Sequence, residues 1–204
     1  MPQPFEPLPG QKINNDFRIL ETRPDCAVKI ACVASEWVHV ERTISEIFGH
    51  ITGDVELPAA DTVSNISNWP AHVAMREIQS LNTRIDVFKA ATEVILPPEK
   101  RSLFEAIALQ LRRRAGDRND IVHGFWNTVD SYPKDVLLRI DEWAGARYVR
   151  YTPKDFDRII ERIIATGQSL TDFGWDWVFE RMRERQNEAN AAQYAELKRQ
   201  LPKE

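Results

Sequence analysis

The chain has 204 residues, of which 43% are hydrophobic and 28% are charged, proportions that predict one globular domain with a core of its own. Its formal net charge of −4 at pH 7 argues against a protein that coats nucleic acid through bulk positive charge. Two cysteines close together and four histidines, without CxxC or HExxH spacing, give no support for a disulfide framework or a zinc site.

Membrane insertion and export also lack support in the sequence. No stretch approaches roughly 18 consecutive apolar residues, and the first residues lack the basic-then-apolar order of a signal peptide. We therefore expect a cytoplasmic protein that does not enter a membrane. We also expect no cofactor, and chemistry that is metal-free or that uses a metal brought with the substrate.

The first predicted elements are an N-terminal arm and a long helix. Residues 1 to 23 carry prolines at positions 2, 4, 7 and 9 and show no hydrophobic periodicity, which predicts a disordered or extended arm. Pro24-Asp25 is a helix-start signal for helix one. The apolar face of helix one consists of Ile30, Val33, Trp37, Val40, Ile44, Ile47, Phe48 and Ile51.

Two more helices are predicted between residues 68 and 126. Asn68 can cap helix two, with Pro70 in its first turn, and the helix continues to a stop at Pro97-Pro98. Helix three starts near Pro98-Glu99 and continues to Trp126. Gly116 within it indicates either a local kink or a close approach by a second helix, as in a symmetric dimer.

The hydrophobic period changes after Trp126. Residues 127 to 134 are predicted to be a loop, and apolar–polar alternation around a glycine-containing turn predicts a small β-hairpin at about residues 135 to 151. A lone hairpin is marginally stable, so we place it against the end of the helical bundle. There Tyr148 and Arg150 could stack on bases and contact phosphates, or the hairpin tyrosines could simply pack on the bundle.

Helix four follows a capping signal at Thr152, Pro153 and Asp155. Residues 183 to 204 form a charged tail, either a helical extension across a partner subunit or a frayed end. The predicted fold class is therefore mainly all-α. It is an antiparallel bundle of four long helices over residues 24 to 182, with the small hairpin between helices three and four.

The candidate site lies at the end of helix three. The apolar stripe of this helix, continued at helical spacing, reaches Arg118, while Asn119 and His123 are neighbours on one helix face. An arginine in apolar packing needs an acidic partner or a ligand. Arg118 could therefore pair with Asp117, Asp120 or a carboxylate of another helix, or the cluster could meet an anion from outside.

A small basic patch surrounds this cluster. Residues 112 to 123 contain four arginines and two aspartates, a local charge of about +2. Such a patch suits one or two phosphates better than a long duplex. We assign Arg114 and Trp126, together with Tyr148 and Arg150 of the hairpin, as candidate substrate contacts.

One stretch resembles the signature of the HEPN superfamily (higher eukaryotes and prokaryotes nucleotide-binding domain): Arg118-Asn119-Asp120-Ile121-Val122-His123-Gly124-Phe125-Trp126. In that family the last core helix carries an arginine, usually a following polar residue, and a histidine a few positions on. The resemblance covers roughly residues 26 to 179 and is sharp over residues 118 to 126. It implies an all-α bundle that often dimerises along this helix. It also implies, in many members, a metal-independent endoribonuclease of toxin, antiphage or RNA-processing systems, whereas other members have lost activity.

We therefore predict a homodimeric, metal-independent endoribonuclease of the toxin or defence kind that acts on single-stranded or loop RNA, with Arg118, Asn119 and His123 as catalytic residues. RNA cleavage needs a base, an acid and positive charge on the phosphate. One chain offers one suitable histidine, so a two-fold dimer would supply both proton transfers. A toxin of this kind implies a cognate antitoxin or partner protein. The alternative is a non-catalytic HEPN-like helical module that binds a nucleotide or a partner protein.

Overall fold

The computed structural model describes residues 1–15, 18–53, 68–142 and 145–200. Within these ranges the α-helices are α1 (Pro24–Ile51), α2 (Trp69–Glu77), α3 (Leu81–Ile95), α4 (Pro98–Val122) and α5 (Pro153–Gln200). The β-strands are β1 (Gln3–Phe5), β2 (Ile13–Asn14), β3 (Phe125–Val129), β4 (Val136–Glu142) and β5 (Gly145–Tyr151). A short 3-10 helix, Ile19–Thr22, precedes α1.

The prediction of four long helices with a small hairpin is wrong, although the chain is mainly α-helical. The described residues contain five helices, because the predicted helix two is divided into α2 and α3. The two predicted hairpin strands are present as β4 and β5, but they belong to a five-stranded antiparallel sheet with the order β1-β5-β4-β3-β2. The described residues thus form a mainly α-helical protein with one five-stranded antiparallel sheet.

Helix two is divided because polar groups cap both new ends. The Ser80 hydroxyl accepts a hydrogen bond from the backbone N–H of Thr83 at 3.3 Å and begins α3. Arg84 donates to the carbonyl oxygen of Ile78 and, at 3.1 Å, to that of Arg76, at the end of α2. The hydrophobic period continues across this break, so periodicity alone predicts one helix.

The N-terminal arm contributes both edge strands of the sheet. Residues Gln3 and Phe5 of β1 lie opposite Arg150 and Tyr148 of β5, and β2 pairs with β3. These strands have three and two residues, too few for an alternating pattern to be recognised in the sequence. Pro4 is tolerated in β1 because an edge strand leaves one row of backbone groups unpaired.

The chain divides into two compact units, each with its own core. The first comprises Met1–Glu41 and Ile107–Gln168 and contains the whole sheet. Its buried side chains include Val33, Trp37, Leu111, Ile121, Trp126, Leu137, Leu138, Tyr151, Phe156 and Ile163. The second comprises Arg42–Ala106 and Ser169–Glu204, and its core contains a series of ring contacts through Phe48, Phe88, Phe104 and Phe173.

Two predicted segments extend beyond the described residues. The turn of the hairpin, residues 143 and 144, lies outside them, as do the last four residues of the charged tail. Up to Gln200 the tail is part of α5. Among the described helices, none combines the length and apolar character needed to cross a bilayer.

Candidate active site

A glycine determines how the chain leaves α4. The backbone N–H of His123 donates to the carbonyl oxygen of Asn119 at 3.0 Å, which completes the last turn of the helix. A Cβ on the next residue, Gly124, would lie 2.2 Å from the carbonyl oxygen of Asp120 and 2.2 Å from Cδ1 of Leu138. Only glycine fits between the helix and β4, so Gly124 fixes the position of the His123 backbone.

Arg118, Asn119 and His123 form one hydrogen-bonded cluster. The Nη1 atom of Arg118 donates to Oδ1 of Asn119 at 3.0 Å and lies 3.2 Å from Nε2 of His123. Asn119 and His123 are exposed, and Arg118 is half-buried. The structure therefore brings together the three residues predicted as catalytic, on a surface that solvent reaches.

The contact between Arg118 and His123 sets the tautomer of the imidazole. A guanidinium has only donor groups, so Nε2 of His123 must accept, and the ring proton then resides on Nδ1. In this state His123 is neutral and its Nε2 lone pair points at a cation. The same atom is the one that would take a proton from a substrate hydroxyl once the guanidinium moves.

Arg118 is not paired with an acid within the described part of the chain. No carboxylate of the described residues lies within ion-pair distance of its guanidinium, and Nη2 has no hydrogen bond to any of them. Its Nε atom is shielded from solvent and also lacks an acceptor among the described residues. Several N–H donors of this guanidinium are therefore not used by any residue that the structure describes.

Arg114 is the arginine that enters the packing of α4. Its Nη1 lies 2.7 Å from Oδ2 of Asp117, and the two side chains are 12% and 36% exposed. The contact is an ion pair without a well-aligned hydrogen bond, since Nε and Nη1 of Arg114 are buried and lack hydrogen-bond acceptors. Burial raises the pKa of the Asp117 carboxyl, although the Arg114 and Arg162 charges oppose this effect. The charge of Arg114 is thus paired with that of Asp117.

Trp126 lies in the core, where it joins β3 to the end of α4. It is 8% exposed, and its indole N–H donates to the carbonyl oxygen of Ile121 at 3.1 Å. Its ring contacts Tyr151 edge-on with centroids 5.4 Å apart, and it also packs against Phe156 at 5.7 Å. Its surface is therefore occupied by the protein, and its effect on the site is to hold the helix end in place.

The two candidate residues of β5 lie in different surroundings. Arg150 interacts with the Asp135 carboxylate at 3.7 Å and donates to Oε1 of Gln3 at 3.3 Å. Its guanidinium carbon also lies 4.3 Å from the ring centroid of Tyr132. Tyr148 is half-buried and stands opposite Arg139 of β4. Arg150 is thus held by its own partners, apart from the Arg118 cluster.

Two surface residues near the cluster were not predicted. Phe125, the first residue of β3, is 47% exposed, and the guanidinium of Arg139 lies 5.8 Å from its ring centroid. In the sequence Phe125 continues the helical stripe of α4, which predicts a residue of helix three and not an exposed strand residue. The signal that could have identified it is the glycine before it, which ends the helix.

No group of three His, Cys, Asp or Glu side chains within the described ranges is arranged to hold a metal ion. Comparisons of the chain with protein-family models, with curated proteins and with solved structures find no match. The geometry around Arg118 and His123 is therefore the feature of this chain that bears on its function.

Proposed function

We propose that this chain is a metal-independent endoribonuclease of the toxin or defence type, resembling HEPN nucleases, with its catalytic site at Arg118, Asn119 and His123. The observation that supports the proposal is a guanidinium without a carboxylate partner among the described residues, hydrogen-bonded to a neutral imidazole on an exposed surface. A permanent cation next to an imidazole base is suited to cutting a phosphodiester.

In this proposal Arg118 binds the scissile phosphate. Its planar fork matches two phosphate oxygens, and its Nη2 has no competing bond to the described residues. When Nη1 turns from His123 to the phosphate, Nε2 becomes free to accept a proton. Asn119 keeps the guanidinium close to the imidazole through its 3.0 Å contact. The same movement of the Arg118 guanidinium thus binds the phosphate and frees Nε2 of His123.

The chemical step is an attack within the RNA. His123 Nε2 takes the proton of the 2′-hydroxyl, and the 2′-oxygen forms a bond to phosphorus while the bond to the 5′-oxygen breaks. The products are a 2′,3′-cyclic phosphate and a 5′-hydroxyl. The leaving oxygen needs a proton, which a guanidinium cannot provide because it stays protonated in proteins. In the proposal a second copy of His123 in a homodimer, protonated as an imidazolium and turned away from its Arg118, provides it.

The remaining candidate contacts have different roles in this proposal. Tyr148 is retained as a base contact, because it is half-buried on the sheet and so keeps part of its ring accessible. Arg114 neutralises Asp117, which removes one negative charge from the path of the phosphate. Trp126 positions the helix end, and Arg150 stabilises the turn that contains Tyr132.

The test is RNA cleavage by purified protein in EDTA. We expect a single-stranded RNA to be cut with cyclic phosphate ends, and His123→Ala and Arg118→Ala each to lose at least about a hundredfold in rate. The matched controls are His39→Ala and Arg113→Ala, which remove an exposed histidine of α1 and an exposed arginine of α4. Cleavage that survives both site substitutions would rule the proposal out.

The homodimer is tested by mixing subunits. Wild-type and His123→Ala chains are unfolded together, refolded and assayed at several ratios. If both histidines of a dimer are required, activity falls with the square of the wild-type fraction. A linear decrease would show that one chain is sufficient.

One observation favours a second function, a non-catalytic module that binds a nucleotide or a partner protein. The Nε2 lone pair of His123 already receives the Arg118 hydrogen bond, which is a stable arrangement without substrate. This module would leave RNA intact under every condition. It would still bind a phosphate-bearing ligand at Arg118, and Arg118→Ala would abolish that binding.

A further inference from the structure

The exposed end of the sheet carries a row of flat side chains across four strands. Phe125 of β3 pairs with Arg139 of β4, Arg139 pairs with Tyr148 of β5, and Tyr148 pairs with Phe5 of β1. Residues directly opposite each other in antiparallel strands project from the same face. These four residues, here called the aromatic row, therefore stand side by side, and the contact of Arg139 with the Phe125 ring agrees with this.

The aromatic row is accessible to a ligand. Phe125 is 47% exposed, while Phe5, Arg139 and Tyr148 are half-buried. Neighbouring strands lie about 4.8 Å apart, so the row extends over about 14 Å. Three rings and one guanidinium at this spacing offer several flat surfaces in sequence, which a few unpaired bases can cover.

The charge of the aromatic row indicates what it binds. The Nε atom of Arg139 bonds the Asp141 carboxylate at 2.8 Å, and Asp141 is 73% exposed, so the pair is close to neutral. A neutral surface of rings does not attract a phosphate backbone, but its rings can stack on bases. In a duplex the base faces are covered by their neighbours, and only a single strand can offer them.

The position of the aromatic row connects it to the candidate active site. Phe125 follows His123 after the one intervening residue, Gly124, and all these residues belong to the same compact unit. A strand that stacks on Phe125 therefore has its backbone next to the Arg118 cluster. Trp126 holds this part of the chain by its hydrogen bond to the Ile121 carbonyl oxygen, which anchors the start of β3 to the end of α4.

We propose that the aromatic row, Phe5, Tyr148, Arg139 and Phe125, is a stacking platform for unpaired nucleotides and selects single-stranded RNA for the cluster at His123. The bases bind through their faces, with little sequence preference and little dependence on salt. This inference rests on the proposed function for the role of the bound strand, but its test measures binding and requires no cleavage.

The experiment uses short labelled oligonucleotides that cannot be cut, one with 2′-deoxyribose and one with 2′-O-methylribose, and reads fluorescence anisotropy with the full chain. We expect both to bind, because the rings contact bases rather than sugars. Phe125→Ala and Tyr148→Ala should each weaken binding by about tenfold, whereas Phe125→Tyr and Tyr148→Phe should retain it. The control is Tyr194→Ala, which removes a 69% exposed ring from α5 and should change nothing.

Several results would overturn the proposal. One is an unchanged affinity in both alanine variants, and another is a fully paired duplex that binds as tightly as a single strand. A third is failure of either oligonucleotide to bind, which is the result expected if this face binds a protein partner. Photocrosslinking of a thiouridine-containing strand to wild-type protein covers the case in which a variant does not fold. Crosslinks at Phe125 or Tyr148 support the platform, and crosslinks only elsewhere contradict it. The readout is binding of strands that cannot be cut, so loss of nuclease activity leaves this result unaffected.

Discussion

Two glycines of α4 and its exit predict opposite effects of the same substitution. In Gly124→Ala the new Cβ would meet the Asp120 carbonyl oxygen and the Leu138 Cδ1 atom at 2.2 Å, well inside contact distance. The Leu138 methyl can rotate away, but the carbonyl belongs to the last turn of the helix. We expect a loss of about 3 kcal/mol in unfolding free energy, at the upper end for overpacking. In Gly116→Ala nothing lies within 4 Å, so we expect a gain of about 1 kcal/mol from helix propensity.

The assay is thermal and urea unfolding of both variants at one low protein concentration. For a chain of this length, each kcal/mol of unfolding free energy shifts the melting temperature by about 2–4 °C. The melting temperature of Gly124→Ala should therefore be lower than that of the wild type by about 6–12 °C. It should also lose more nuclease activity than its stability loss explains, because the displaced backbone is that of His123. A Gly124→Ala variant as stable as the wild type would refute the steric argument, since Gly124 has no unusual backbone angle to explain its presence.

Three further substitutions test the charges around the site. Arg118→Ala should cost under about 1 kcal/mol, because its hydrogen bonds go to exposed partners; a larger loss in urea unfolding would indicate a structural role. Arg114→Met should cost about 2 kcal/mol by the same measurement, because it leaves a half-buried carboxylate unpaired, while the exposed Arg113→Met should cost little. Burial raises the pKa of Tyr151 to about 12, so the stability that it contributes is complete below pH 10 and is lost as the pH rises toward 12. Tyr151→Phe should therefore lose less stability than wild type across that interval, whereas Tyr194→Phe should behave as wild type.

The helix starts could be predicted because their signals are local. The structure begins α1 at Pro24, α4 at Pro98 and α5 at Pro153, where a proline at the first helical position or a capping residue marks the sequence. The division of helix two could not be predicted, because Ser80 and Arg84 act through contacts that periodicity does not register. The edge strands β1 and β2 were missed for a related reason, since strands of two or three residues become stable only when a neighbouring strand accepts them. The prediction of helix up to Trp126 and of a loop after it was wrong for β3, Phe125–Val129.

The candidate site shows the same division between local and distant causes. The meeting of Arg118, Asn119 and His123 depends only on positions within the last turns of one helix, so spacing was enough to predict it. The burial of Trp126 depends on β5 and α5, which meet it only after folding, and its indole proved to be a core residue. The packed arginine is Arg114 and not Arg118, which the apolar stripe predicted. At the end of α4 the buried residue is Ile121, whereas the next residue, Val122, is only half-buried.

These observations link the function of the cluster to the number of copies that assemble. Breaking a phosphodiester by attack of the 2′-hydroxyl requires one group that takes a proton and another that gives one. Arg118 can hold charge but cannot give its proton, and the amide of Asn119 does neither. Among Arg118, Asn119 and His123, the imidazole of His123 is thus the single group suited to proton transfer. In the proposed function a single copy of the cluster binds a phosphate, and a second imidazole from another copy makes it a catalyst. Oligomeric state therefore separates the nuclease from the binding module more directly than the presence of the motif does.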